Sequence, residues 1–435
     1  QTELNTIIEY VNTKYEEIPI YDIHTDNINM YASVLSSTGH IVFPHNECKT
    51  MKELEEFVIV LDNKKTLQRY YTPYALYHLM NQIPHIILDE FKLLNYTSIK
   101  TISNQIVGKY SIELLKLIVK YNYDNFINET ENTFLTPFGK STLLTSSAYI
   151  FMGGTCLVVS DTPRETAIEF SKVLLTDMND TNDYFKEYDE EMKKYHELCN
   201  KYMKEEREIK KKEVVDFRYQ SDNQKGKYKK TKFRESDRKQ VDEMVELIVP
   251  EMNIPNKFVV NSYEHYSNYS DSDIDVSNRK YYQTNIKEKS LDPIQKLNID
   301  DIYKKLLIAG IGIYAPLDTI LTPNGNQSYS ELVAEYASTG QLSFLVSDRS
   351  IIHGANYPFT HVFILEEFGN KYSPNTLEQL ANRVGRTGLS TTATICIEND
   401  SQIIKDKLFG RKEHENPEAK NISSSARYII KNELV

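Results

Sequence analysis

The chain has 435 residues, of which 40% are hydrophobic and 26% charged, and a formal net charge of -11. That length accommodates two ordinary domains with room for an insertion, and the apolar content lets most of it fold. No apolar run approaches the ~20 residues that span a bilayer, and no signal peptide follows Gln1. Cys48, Cys156, Cys199 and Cys396 lie too far apart for a disulfide framework or a paired metal motif. The reading is a soluble protein of a reducing compartment such as the cytoplasm, with a first residue, Gln1, compatible with numbering that starts inside a longer chain. The negative total disfavours nucleic-acid binding, although phosphate contacts require only a local basic groove.

From Gln1 to about Phe138 helical and strand patterns mix. Phe57 to Leu61 and Ile83 to Leu88 are short, apolar and bounded by polar residues, which predicts buried strands. Thr155 to Ser160 predicts another, followed by an amphipathic helix through Thr166, Ile168, Phe170 and Val173. Strand, turn and helix in that order indicate an α/β layer. Near Asp177 the character changes. Phe185, Tyr188, Met192, Tyr195, Cys199 and Tyr202 recur at three- and four-residue steps amid Lys and Glu, which predicts a long charged helix with one apolar stripe. Basic residues outnumber acidic ones from Lys201 to Lys239, and Tyr263 to Asp275 reads as a polar, mobile loop. Globular alternation resumes at Ile302. Residues 177–290 are therefore expected to be an insertion, with a protein partner on the 177–215 helix.

The residues that carry chemistry cluster between Gln341 and Gly388. Leu342 to Val346 reads as a strand presenting Ser347 and Asp348 at its end. The loop His353-Gly354-Ala355-Asn356-Tyr357-Pro358 follows, then a buried strand from His361 to Leu365. The run Leu377 to Gly388 begins as a helix and breaks at Gly385 and Gly388. Gln379 and Arg383 lie one turn apart and share a face, while Arg386 follows on the glycine-flanked break. Ligands bind at strand-end loops of α/β sheets, and phosphoryl transfer needs fixed cations, for which Arg supplies forked donors. Upstream, Asp89 and Glu90 are expected at a strand end, where one carboxylate can hold magnesium and the other polarise water.

These strings resemble motifs of superfamily 2 helicases. Gln379-x-x-x-Arg383-x-Gly385-Arg386-x-Gly388 is similar to motif VI. Val346-Ser347-Asp348 through Gly354 to Pro358 is similar to motif V, and Leu306 to Pro316 to the segment before it in Ski-type helicases. Helicases of large nucleocytoplasmic DNA viruses, which carry charged helical insertions here, are the nearest in pattern. Thr155 to Thr166 stands where motif IV would. Ile86 to Phe91 resembles a variant acidic box, and Tyr71 to Leu76 a backbone-contacting turn. The resemblance implies that Gln379, Arg383 and Arg386 face ATP. It makes Asp89 and Glu90 the magnesium and water residues, and Asp348, Gly354 and Gly385 the nucleotide-coupled loops. Thr72, Pro73, Ser160, Thr162 and Ser347 would grip the nucleic acid, with RNA preferred over DNA by the Ski-type analogy.

A phosphate loop before Asp89 is missing: Ser36 to His40 lacks the lysine and lies too close. The string Gly139-Lys140-Ser141-Thr142 comes after Asp89, with Phe134 where the first glycine belongs. It is either an ordinary helix start at Pro137 or a degenerate phosphate loop, and in the second case Cys156 to Thr166 becomes motif Ia. Thr145 to Ala148 is a weak match to motif III. His40, His45 and Cys48 lack a fourth zinc ligand nearby and read as satisfied side chains. The expected architecture is two RecA-like parallel-sheet domains: an incomplete first one over 1–136, a second over 137–176 and 291–400, the insertion between, and a tail from 401 to 435. The expected activity is an ATP-driven helicase or translocase. The alternative is a helicase-like scaffold that binds nucleic acid without turnover.

Overall fold

The computed structural model of the chain describes residues 2–14, 31–36, 40–91, 104–123, 125–128, 143, 154–178, 186, 187, 189–197, 200, 201, 204, 254, 258–260, 287, 289–315, 323–353, 356–385, 393–410 and 417–433. It divides into two compact units. One comprises Gln1–Lys172, Pro255–Glu288 and Leu297–Val435, the other Val173–Ile254 and Lys289–Lys296. Among the described residues no helix is long and apolar enough to cross a membrane.

Helix α1 (Thr2–Lys14) precedes a hairpin of β1 (Ser33–Leu35) and β2 (Ile41–Val42), in which the Ser36 amide donates to the His40 carbonyl at 2.8 Å. Thr50 then caps α2 (Met51–Asn63) by accepting from the Glu53 amide, and the Glu53 carboxylate reaches back to the Lys49 amide. Helices α3 (Lys65–Gln68), α4 (Pro73–Asn81), α5 (His85–Phe91), α6 (Asn104–Lys120) and α7 (Asn125–Asn128) follow. Both strands predicted in this region are helical. Phe57 to Leu61 lies inside α2, which buries Leu54, Val58 and Leu61 at helical spacing while Ile59 and Val60 face solvent. Ile86 to Leu88 lies inside α5, where Ile83, Ile87 and Phe91 are buried four residues apart.

The remaining strands are β3 (Cys156–Val159), β4 (Ile311–Tyr314), β5 (Phe344–Ser347), β6 (His361–Ile364) and β7 (Thr394–Ile397). Between them run α8 (Pro163–Asp177), α9 (Asp292–Gln295), α10 (Asp301–Ala309), α11 (Pro323–Thr339), α12 (Glu366–Lys371) and α13 (Pro374–Ala381), and α14 (Gln402–Phe409) and α15 (Pro417–Glu433) end the order. The described strands form one seven-stranded sheet in the order β2-β1-β7-β6-β3-β5-β4, parallel except where β2 meets β1. Every residue of β3, β5 and β6 is buried, which is why these strands read as unbroken apolar runs. The fold is α/β.

The sheet draws on both ends of the described chain. Residues 1–136 carry no separate sheet among those described; β1 joins the main one, with Ser33 opposite Thr394 and Leu35 opposite Cys396. Within 401–435 the described residues form α14 and α15. Ile404, Leu408 and Phe409 are buried, Tyr70 donates to the Leu408 carbonyl, and α15 packs on α1. The insertion is narrower than 177–290, because Val260 donates to the Ala309 carbonyl at 2.9 Å and its own carbonyl accepts from the Ser343 hydroxyl at 2.8 Å. In the smaller unit, residues 189–197 are helical, and Ile254 donates to the Lys289 carbonyl at 3.1 Å.

Thr72 ties the N-terminal helices to the sheet. Its hydroxyl accepts from the Ala75 amide at 3.1 Å, capping α4 ahead of Pro73, and shares a 2.7 Å hydrogen bond with Ser33 of β1. Thr72→Ala is expected to cost about 1–2 kcal/mol, the range for losing such a cap. A denaturant midpoint indistinguishable from wild type would contradict this linkage.

Candidate functional site

Following the chain, β3 leads to the far edge at β4, returns to β5 beside it, then crosses to β6 and β7 on its other side. The direction of winding therefore reverses around β3. At such a reversal the loops after neighbouring strands diverge and leave a crevice at the carboxyl ends. Three predicted segments lie on this part of the sheet: the ends of the neighbouring strands β3 and β5, and the α13 segment, which reaches the turn after β5.

At the end of β3, Ser160 is fully buried and its hydroxyl is committed. It accepts from the Thr162 amide at 3.0 Å, lies 2.7 Å from the Thr166 hydroxyl, and donates to Glu367 at 2.8 Å. Ser160 shapes the turn with its hydroxyl, and Thr162, two residues on, is exposed. At the end of β5, Ser347 is likewise buried, and its hydroxyl donates to the Asp348 carbonyl at 3.1 Å. The Asp348 carboxylate accepts from the Ser350 amide at 2.8 Å, capping a 3-10 turn over Arg349–Ile352. A short side-chain acceptor two residues before the amide is the usual way for Asp to start such a turn.

Ser373 caps α13 and Pro374 occupies its first turn, so the helix start is legible in the sequence. Leu377, Leu380 and Ala381 are buried, while Gln379 is exposed. Beyond the helix, the Arg383 guanidinium donates to the Ile352 carbonyl, joining the α13 segment to the turn after β5. Val384 bridges to Phe359, and Gly385 turns the chain with a φ of +66°. Gly354, Arg386 and Gly388 lie outside the described residues, as do Gly139 to Thr142 and Thr145 to Ala148.

Other predicted site residues lie elsewhere. Asp89 and Glu90 are on the exposed surface of α5, not at a strand end. Glu90 pairs with Lys120 at 2.7 Å and accepts from the Tyr121 hydroxyl. The Lys120 hydrogen bond, then that of Tyr121, holds its carboxyl below the usual carboxylate range. Thr72 is buried and used as a cap, and Pro73 is the exposed first residue of α4. His45 is a core residue, bonded through Nδ1 to the Tyr71 hydroxyl at 2.8 Å and stacked on Phe43 and Phe126.

The sequence reading missed Arg69. Its buried guanidinium forms a 2.9 Å ion pair with Glu378 and donates to the Asn382 side chain at 3.2 Å. A pairing that spans 309 residues leaves no local pattern to find. No family model matches this chain, and no curated protein matches it.

Proposed function

We propose that the larger unit carries the second, RecA-like motor domain of a superfamily 2 nucleic-acid-dependent ATPase, acting as a helicase or translocase. The observation that carries this reading is the contact of Arg383 with the Ile352 carbonyl. It joins the motif VI-like segment to the motif V-like turn after β5, the parallel neighbour of β3, around which the strand order reverses. Gln379, exposed on α13 one turn before Arg383, is the side chain best placed to meet a nucleotide. Thr162, exposed after β3, is the one best placed to meet a nucleic-acid backbone.

Magnesium does not fit the acids expected to hold it. Asp89 and Glu90 sit on a surface helix, Glu90 is bound by Lys120 and Tyr121, and the described residues contain no cluster of metal-ligating side chains. No hydrolytic step is assigned to that pair. The same observation favours a second reading, a helicase-like scaffold that binds nucleic acid without turnover. In either case the charged helix within 177–215 would offer a protein partner its apolar stripe, on which Met192 and Tyr195 are the partly buried members among the described residues.

Phosphate release measured with and without RNA or DNA separates the two. The motor reading expects stimulation by nucleic acid and a loss of at least about 10³-fold in Arg386→Ala, since a transition-state arginine is worth that much. Equal background rates for wild type and variant under all conditions would remove the motor. Binding of the same oligonucleotides by fluorescence anisotropy would then support the scaffold.

A further inference from the structure

We propose that Arg69 is a positioning residue for α13, aiming Gln379 and Arg383 from behind the helix; the inference rests on the motor reading. Arg69 follows α3 and its side chain is 6% exposed. One arm of its fork meets the Glu378 carboxylate at 2.9 Å, the other the Asn382 side-chain oxygen at 3.2 Å. Those two acceptors lie four residues apart, one helical turn, so both arms hold a single face of α13. Each is the immediate neighbour of a predicted site residue: Glu378 precedes Gln379, and Asn382 precedes Arg383. A step of one residue rotates the side chain by about 100° around the axis, so clamping one pair fixes the direction in which the other points.

The clamp is itself anchored. The Arg69 carbonyl accepts from the Ala32 amide at 3.2 Å, beside β1, and its guanidinium lies 5.1 Å from the Tyr70 ring centroid. The same stretch reaches the far end of the motif, because a Cβ built on Gly385 would stand 2.9 Å from the Tyr31 carbonyl oxygen. Residues 31–32 and 69 thus brace both the helix and the glycine turn before Arg386. Lysine cannot replace this arginine, since a point charge makes one of the two contacts and leaves the rotation of α13 free.

The test uses the full chain with Arg69→Lys, Arg69→Gln, Glu378→Gln and the Arg69→Gln/Glu378→Gln pair. Two readouts are taken: amide hydrogen exchange, and kcat and KM of the nucleic-acid-stimulated ATPase. Positioning predicts that amides of residues 376–385 exchange at least about tenfold faster in each variant, with those of β3, β5 and β6 unchanged. It also predicts that kcat falls roughly tenfold to a hundredfold with little change in KM, the cost of misaiming a group by about an ångström. The double variant should be no worse than Arg69→Gln alone, because that substitution already removes the Glu378 contact. Exchange that rises equally in helix and sheet, a KM effect alone, or additive losses would overturn the proposal. A wild type without turnover removes the motor reading, and with it the aiming role, whatever the exchange shows; an active wild type with unaltered α13 exchange overturns Arg69 alone.

Discussion

Gly385→Ala is expected to lower the unfolding free energy by about 2–5 kcal/mol, combining the αL penalty of an L side chain with an overpacking cost. The backbone there has a φ of +66°, and the added methyl would lie 2.3 Å from the Ala393 Cβ and 2.9 Å from the Tyr31 carbonyl oxygen. Neither neighbour can rotate aside, because one is a backbone atom and the other is bonded directly to one. Gly340→Ala is the matched control. Its φ is +77° and nothing lies within 4 Å of the added carbon, so it should lose only the conformational part, about 1–2 kcal/mol. Urea unfolding of the two variants side by side decides the matter. If they fall within a few tenths of a kcal/mol of each other, the glycine is there for its torsion alone and the close approach to Tyr31 and Ala393 is wrong.

Lys289→Met should gain stability relative to wild type as the pH falls. Burial pushes the Lys289 ammonium down from 10.5 to about 7, so the folded state holds this amine uncharged above neutrality. Between those two values the unfolded chain binds a proton that the folded chain lacks, so stability rises with pH through the window and the full cost of burial is felt below it. A displacement of that size corresponds to a cost on the order of 5 kcal/mol at pH 6, falling to about 1 kcal/mol by pH 10. Methionine has no charge to desolvate and fills a similar volume. Denaturant midpoints at pH 6, 8 and 10 should show the advantage of the variant shrinking step by step. A difference that stays constant across those values, or a variant less stable at pH 6, would rule out a buried ammonium as its source.

What the sequence disclosed and what it hid divide along a physical line. The runs at Thr155 to Ser160, Leu342 to Val346 and His361 to Leu365 became β3, β5 and β6, because interior parallel strands have no polar face to break the run. The runs at Phe57 to Leu61 and Ile83 to Leu88 look the same over five or six residues and are helical. Short apolar stretches do not separate the two states without their flanks. The flanks held a usable signal, since Thr50 and Glu53 stand at the spacing of a capping box and Leu54 continues the helical period into Val58 and Leu61. At the site, the helical run from Leu377 and its break at Gly385 were legible, while the earlier start at the Ser373 cap and Pro374 was passed over. The commitment of Ser160 to Glu367 and of Arg69 to Glu378 was not, because each depends on which distant segment folds alongside.

The pairing of β1 with β7 has a cost in time. Ser33 leaves the ribosome more than three hundred residues before Thr394, its opposite number. At usual elongation rates that is a wait on the order of tens of seconds. Through that interval β1 has no β7 to pair with, and its described link to the N-terminal helices is the Ser33–Thr72 hydrogen bond. Nascent chains should therefore leave the β7-facing edge of β1 unpaired until Thr394 to Ile397 are made, so that seating β1 against β7 comes late in folding.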